Sequence, residues 1–166
     1  MISLEKAVVY DIETFPNAFT LDMECLNSDT RATWEISHYR DDRRELMQWF
    51  QWMAQTQTPM IGFNSIGFDY PVIHELFHNP SMTVEQIYAK AMSIIDGDNK
   101  FANMVWADNR FCPQIDLFKI YHMDNHAKST SLKALQINMR SESVVDMPVE
   151  VGTHLTQEQV NELLIP

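Results

Sequence analysis

Two carboxylates one residue apart, Asp11 and Glu13 in "VVYDIETF", end an apolar β-branched run that begins at Val8 and Val9. Side chains alternate across a strand, so residues i and i+2 share a face and lie about 7 Å apart along the chain. Two like charges there repel unless a cation sits between them. A solvated strand end is the ordinary setting of an isolated D-x-E, so a third acid from another segment decides its meaning. Hard divalent ions such as magnesium take oxygen ligands, usually a few carboxylates together with substrate phosphates. Asp69 in "GFNSIGFDY" is the best candidate, after a short strand and in a loop entering a helix, with Asn64 and Phe68 beside it. Taken alone, an Asp in that place reads as a helix cap.

Other chemistry-bearing patterns are weaker. His74 and His78 stand at i and i+4 on the helix after Asp69, a spacing able to chelate a transition metal, but no third soft ligand accompanies them. Packing or surface roles suit them better. Cys25 and Cys112 form no C-x-x-C pair, so neither a disulfide framework nor a zinc knuckle is indicated, and both read as small buried hydrophobes. There is no G-x-x-x-x-G-K, G-x-G-x-x-G or G-x-S-x-G, and only 4 glycines occur. Nucleotide triphosphatase, dinucleotide-binding and serine-hydrolase readings are disfavoured.

The elements that must position these acids follow from period and turn chemistry. Residues 6 to 12 read as a buried strand, and "NAFTLDMEC" and "RATWEISHY" as two more, a three-stranded meander. In "DDRRELMQWFQWMAQ" the period becomes helical, with Leu46, Trp49, Phe50 and Met53 on one stripe and Asp41 or Asp42 as cap. Met47 and Trp52 belong to the same apolar surface, which reads as core or interface. "PMIGF" is a short strand, and Pro71 suits the first turn of the following helix. "TVEQIYAKAMSII" predicts a helix, "FCPQIDLF" a strand or its end, "SLKALQINM" a short helix, and "TQEQVNELL" the start of a last one. Strands in a row followed by alternating helix and strand imply a mixed α/β sheet with helices packed on it.

The 166 residues suit one domain, and 45% hydrophobic with 21% charged is a globular balance. No basic leader or long apolar window occurs, so a soluble cytoplasmic protein without membrane contact is expected. The net charge of -11 argues against a broad basic face for nucleic acid.

"YDIET", followed about fifty residues later by "NSIGFD", resembles the first two motifs of the DEDD family of 3'-5' exonucleases. That family includes the proofreading domains of family B DNA polymerases and stand-alone phage and bacterial relatives. Asp11 and Glu13 match the first motif; Asn64, Phe68 and Asp69 match the second. "QIDLFKIY" and "STSLKALQINM" are similar to the strand and short helix that follow in the family. The resemblance implies an RNase H-like mixed sheet: the antiparallel meander plus parallel strands, flanked by helices. It implies a metal-dependent enzyme that hydrolyses DNA from its 3' end, with Asp11, Glu13 and Asp69 as ligands to Mg2+ or Mn2+, two ions in the complete site and one or none where the fourth acid is lacking. Single-stranded DNA or DNA 3' ends are the implied partners, with a polymerase domain or replication protein as a further one. The acidic balance then matters less, because phosphate is met through metal.

Thr14, Phe15, Asn64, Phe68 and Tyr70 flank the acids and are the expected substrate contacts. Phe15 and Phe68 could stack on the terminal base, Phe68 being equally suited to the core. Arg40, Arg43, Arg44, Lys119, Lys128 and Lys133 could line the path of the strand. The family's third motif, Y-x-x-x-D or H-x-x-x-x-D, is absent: Asn125 follows Tyr121 at four residues, Ser131 follows His126 at five and Gln159 follows His154 at five. Its expected place is just beyond "LTQEQVNELLIP", so residues 1–166 read as a single exonuclease-like domain stopping before that helix. Asp116, Asp124 and Asp146 are weak substitutes for the missing acid. The rival expectation is a catalytically inactive module of the same fold that binds nucleic acid or a protein partner.

Overall fold

The computed structural model describes residues 4–99, 101–122, 149–150 and 152–164. Val8–Phe15 (β1) and Ala18–Cys25 (β2) form an antiparallel hairpin turned by Pro16 and Asn17 alone. So tight a turn keeps pairing intact up to Phe15, which extends β1 past the predicted end at Ile12 and takes Glu13 and Phe15 out of any loop. Arg31–Ser37 (β3) pairs antiparallel with β2 and completes the meander.

Arg43–Thr56 (α1) leads into Met60–Gly62 (β4), then Asp69–His78 (α2) and Val84–Ile95 (α3). Gln114–Asp116 (β5) passes directly into Leu117–His122 (α4), so only the first part of "IDLF" is strand; Gln157–Leu163 (α5) is the last described helix. The sheet order is β3-β2-β1-β4-β5, with β4 parallel to both β1 and β5. This is the mixed α/β sheet, an antiparallel meander plus parallel strands flanked by helices, that the sequence implied.

Burial alternates along β1. Val8, Tyr10 and Ile12 enter the main core with Phe19 and Leu21, under Leu46, Phe50 and Met53 of α1, Ile73 and Leu76 of α2, and Ile87 and Ala91 of α3. Val9, Asp11 and Glu13 therefore share the opposite face. On that side a smaller cluster of Phe15, Ala18, Leu155 and Val160 seats α5. Thr83 and Gln86 close a capping box at the start of α3, and Thr156 and Gln159 another at α5.

Asp42 holds the N-cap position of α1, but its carboxylate turns away from the helix to accept from the Glu35 N–H at 3.0 Å. Asp41 accepts from the Arg43 N–H instead, at 3.0 Å. Cys112 is buried and Cys25 half-buried, both as free thiols. Among the described residues no helix is long and apolar enough to cross a membrane. The segment "SLKALQINM", with Asp124, Asp146, Lys128 and Lys133, lies outside the described residues.

Candidate functional site

Asp69 is the first residue of α2, and its carboxyl lies close enough to that of Asp11 for each to shift the other's pKa. At 6% exposure it is nearly buried, whereas Asp11 keeps contact with solvent. Burial, and then the charge of Asp11, push the Asp69 carboxyl up to about 8. Protein packed around Asp11 raises its pKa as well, against the hydrogen bonds from Ile12 and Asp69 that favour its charged form. The pair titrates as one unit, sharing a proton because two carboxylates in contact cannot both ionise without a compensating cation. Glu13, half-buried on the same face, is pushed up to about 7 by burial, then by Asp11 and Asp22.

Asp22 is the functional candidate that sequence reasoning missed. It stands directly opposite Asp11 in the β1–β2 register, where facing side chains lie within about 5.5 Å of each other at Cβ. Burial raises its pKa, partly offset by a hydrogen bond from the Thr33 hydroxyl. The signal was present in "YDIETFPNAFTLD": a two-residue turn at Pro16 and Asn17 dictates that pairing. Beside Glu13 in register, the Thr20 hydroxyl is buried and has no hydrogen-bond partner among the described residues.

The loop that delivers Asp69 is fixed from below. Asp116, at the end of β5, accepts from the backbone N–H groups of Asn64 at 2.9 Å, Ile66 at 3.1 Å and Phe118 at 3.0 Å. These bonds engage its carboxylate fully, so it is a structural anchor and no substitute for the missing acid. Asn64 adopts φ 58°, a left-handed conformation that Asn tolerates better than most residues. Gly62 permits the same turn: a Cβ there would stand 2.6 Å from that of Ser65.

Of the expected substrate contacts, Asn64 is exposed, and Thr14 and Phe68 are half-buried, Phe68 packing against the main core. Phe15 and Tyr70 must be corrected. Phe15 is sealed beneath Leu155 and Val160, because the extended strand aims it at α5. Tyr70 is fully buried, its hydroxyl accepting from the Phe111 N–H at 2.8 Å. The arginines are also elsewhere employed: Arg40 pairs with Asp42, Arg43 with Asp41 and the carbonyls of Pro80 and Met82, and Arg44 with Glu45. Lys119 is exposed. His74 and His78 lie against each other with ring centroids 4.3 Å apart and planes tilted by 40°, and burial, then His78, lower the His74 pKa.

A groove of about 470 Å³ opens on the acidic face, lined by Asp11, Asp22, Arg31 and Thr33 from the sheet and by Leu163 and Leu164 at the end of α5. Among the described residues no three His, Cys, Asp or Glu side chains are close enough to form a finished metal cluster. The chemistry of the donor set nevertheless fits a hard divalent cation: oxygen ligands only, and neighbouring acids whose pKa values are raised by burial and then by one another's charge.

No family model matches the sequence, and no curated protein matches it. Among solved structures, the family B DNA polymerase from the hyperthermophilic archaeon Pyrobaculum calidifontis aligns with a TM-score of 0.46 at 18% identity. The alignment covers 84% of this chain and 19% of the polymerase, so the chain spans about a fifth of that protein's length.

Proposed function

We propose that this chain is a metal-dependent 3'-5' exonuclease domain acting on DNA ends, with Asp11, Glu13 and Asp69 as its metal-binding acids. The observation that carries the reading is the mutual electrostatic influence of the Asp11 and Asp69 carboxyls, the first acids of two motifs that also resemble those of the DEDD exonucleases. A strained acid pair of this kind is costly in a merely structural role and is relieved by a divalent ion.

Two bound ions would supply an activated water and charge neutralisation at the scissile phosphate and leaving 3' oxygen. Asp11 and Asp69 would hold the ions as carboxylates, and Glu13 would add a second carboxylate from the same strand face. Asp116 keeps the Asn64–Phe68 loop in place behind Asp69. Leu163 and Leu164 exclude water from one wall of the groove.

The test is release of mononucleotides from 3'-labelled single-stranded DNA in Mn2+. Wild type should release label, EDTA should stop it, and Asp11→Asn should release essentially none. Label retained by wild type, or equal release by the variant, overturns the reading. One observation favours a second reading, a non-cutting module that binds nucleic acid or a protein partner: the described acids do not close a three-ligand cluster. Retention of the DNA by wild type without release of label would select it.

A further inference from the structure

We propose that Asn17 is a positioning residue of the site, a side-chain latch that docks the Leu155–Leu163 segment over the acidic face. The proposal rests on the exonuclease reading for its functional consequence, but the latch itself stands on geometry. Asn17 is 3% exposed and sits in the turn that follows the acid-bearing strand. Its Nδ2 donates to the Leu155 carbonyl at 2.8 Å, and its Oδ1 accepts from the Leu155 N–H at 2.8 Å. The carboxamide thus pairs with both polar groups of one residue, as a strand neighbour would. Only a side chain that donates and accepts at once can do this, which excludes Asp and every apolar residue.

Two further features make the latch specific. The Tyr39 hydroxyl donates to the same Leu155 carbonyl at 2.9 Å, so two side chains converge on one residue through three hydrogen bonds. Immediately after it, Thr156 caps α5, so fixing Leu155 fixes the point from which the helix starts. Phe15 and Ala18 on either side of the turn then receive Leu155 and Val160. A helix held at this end carries Leu163 and Leu164 to the groove that Asp11 and Asp22 line. Apolar cover there lowers the local dielectric and strengthens attraction between the acids and a cation.

The inference separates from general folding by two readouts. In Asn17→Ala, exchange of the Leu155 amide should accelerate by about tenfold or more while amides of β1 and β4 stay protected. Mn2+ binding, followed by electron paramagnetic resonance, should weaken by at least about threefold. Tyr39→Phe removes one bond of the latch without touching the core and should shift both readouts in the same direction by less, which keeps the test available if Asn17→Ala fails to fold. Unchanged Leu155 exchange in the variants overturns the latch. Faster exchange with unchanged Mn2+ affinity overturns the positioning role and leaves the exonuclease reading standing, whereas a wild type that binds Mn2+ yet spares 3'-labelled DNA overturns that reading alone.

Discussion

Asp11 on β1 and Asp69 at the start of α2, far apart in sequence, bring their carboxyls close enough for each to shift the other's pKa. Packing does not require this. Asn at either place would fill nearly the same volume without the repulsion. An arrangement that costs stability in the metal-free chain and would gain it with a cation is the physical core of the proposed site.

The first prediction concerns pH. Asp69 is raised from 3.8 to about 8 and Glu13 from 4.5 to about 7, so the folded chain binds more protons than the unfolded one across that interval. Stability rises with pH only where the unfolded state holds more protons, so here the sign is negative. The acids' contribution is fully present below about pH 4 and is lost as pH climbs through 7 to 8. Urea midpoints in EDTA should fall between pH 5 and pH 8.

Asp69→Asn should weaken that dependence. Neutralising the buried member of the pair should raise the metal-free urea midpoint at pH 8 and flatten the pH dependence above 5. In wild type, Mn2+ at about a hundred times its dissociation constant should stabilise by about 2.7 kcal/mol, and the variant should lose most of this. Thermal shifts with and without Mn2+ at pH 8 measure both effects.

Asp116 is predicted to matter for folding and for the position of Asp69, and not as a ligand. Asp116→Ala strands three backbone donors and should cost about 3 kcal/mol or more, seen in urea denaturation. Asp116→Asn can still accept but forfeits the charge, and should cost about half as much. If Asp116→Asn keeps its fold, its Mn2+ affinity should stay near wild type, which a ligand would not allow.

Asn64 is predicted to act through its backbone. At φ 58° a β-branched residue is strained, so Asn64→Val should cost about 1–2 kcal/mol, whereas Asn64→Gly should be nearly neutral. Equal denaturation midpoints for the two variants would contradict this role.

Much of this was legible in the chain because it rests on period and on turn chemistry. The meander, the α1 stripe and the α3 helix all announce themselves in short windows, and the places of Asp11 and Glu13 on a strand and of Asp69 at a helix start followed from the local pattern. What escaped depends on contacts between distant segments. Asp22 is an ordinary strand residue until the hairpin register places it opposite Asp11. Phe15 looked like a turn aromatic because nothing local tells that α5 will cover it, and Asp42 looked like a cap because its contact with β3 lies outside its own helix. Asp116 behaves likewise, its partners Asn64 and Ile66 sitting on a different loop.

The most direct test of the central claim is a digestion followed from both ends at pH 8 in Mn2+. One single-stranded DNA is labelled at its 3' end, a second at its 5' end, each incubated with wild type and with Asp69→Asn. The account predicts immediate release of the 3' label as mononucleotide, progressive shortening of the 5'-labelled strand, and neither with the variant. Intact strands with wild type, or cutting that Asp69→Asn leaves unchanged, would contradict it.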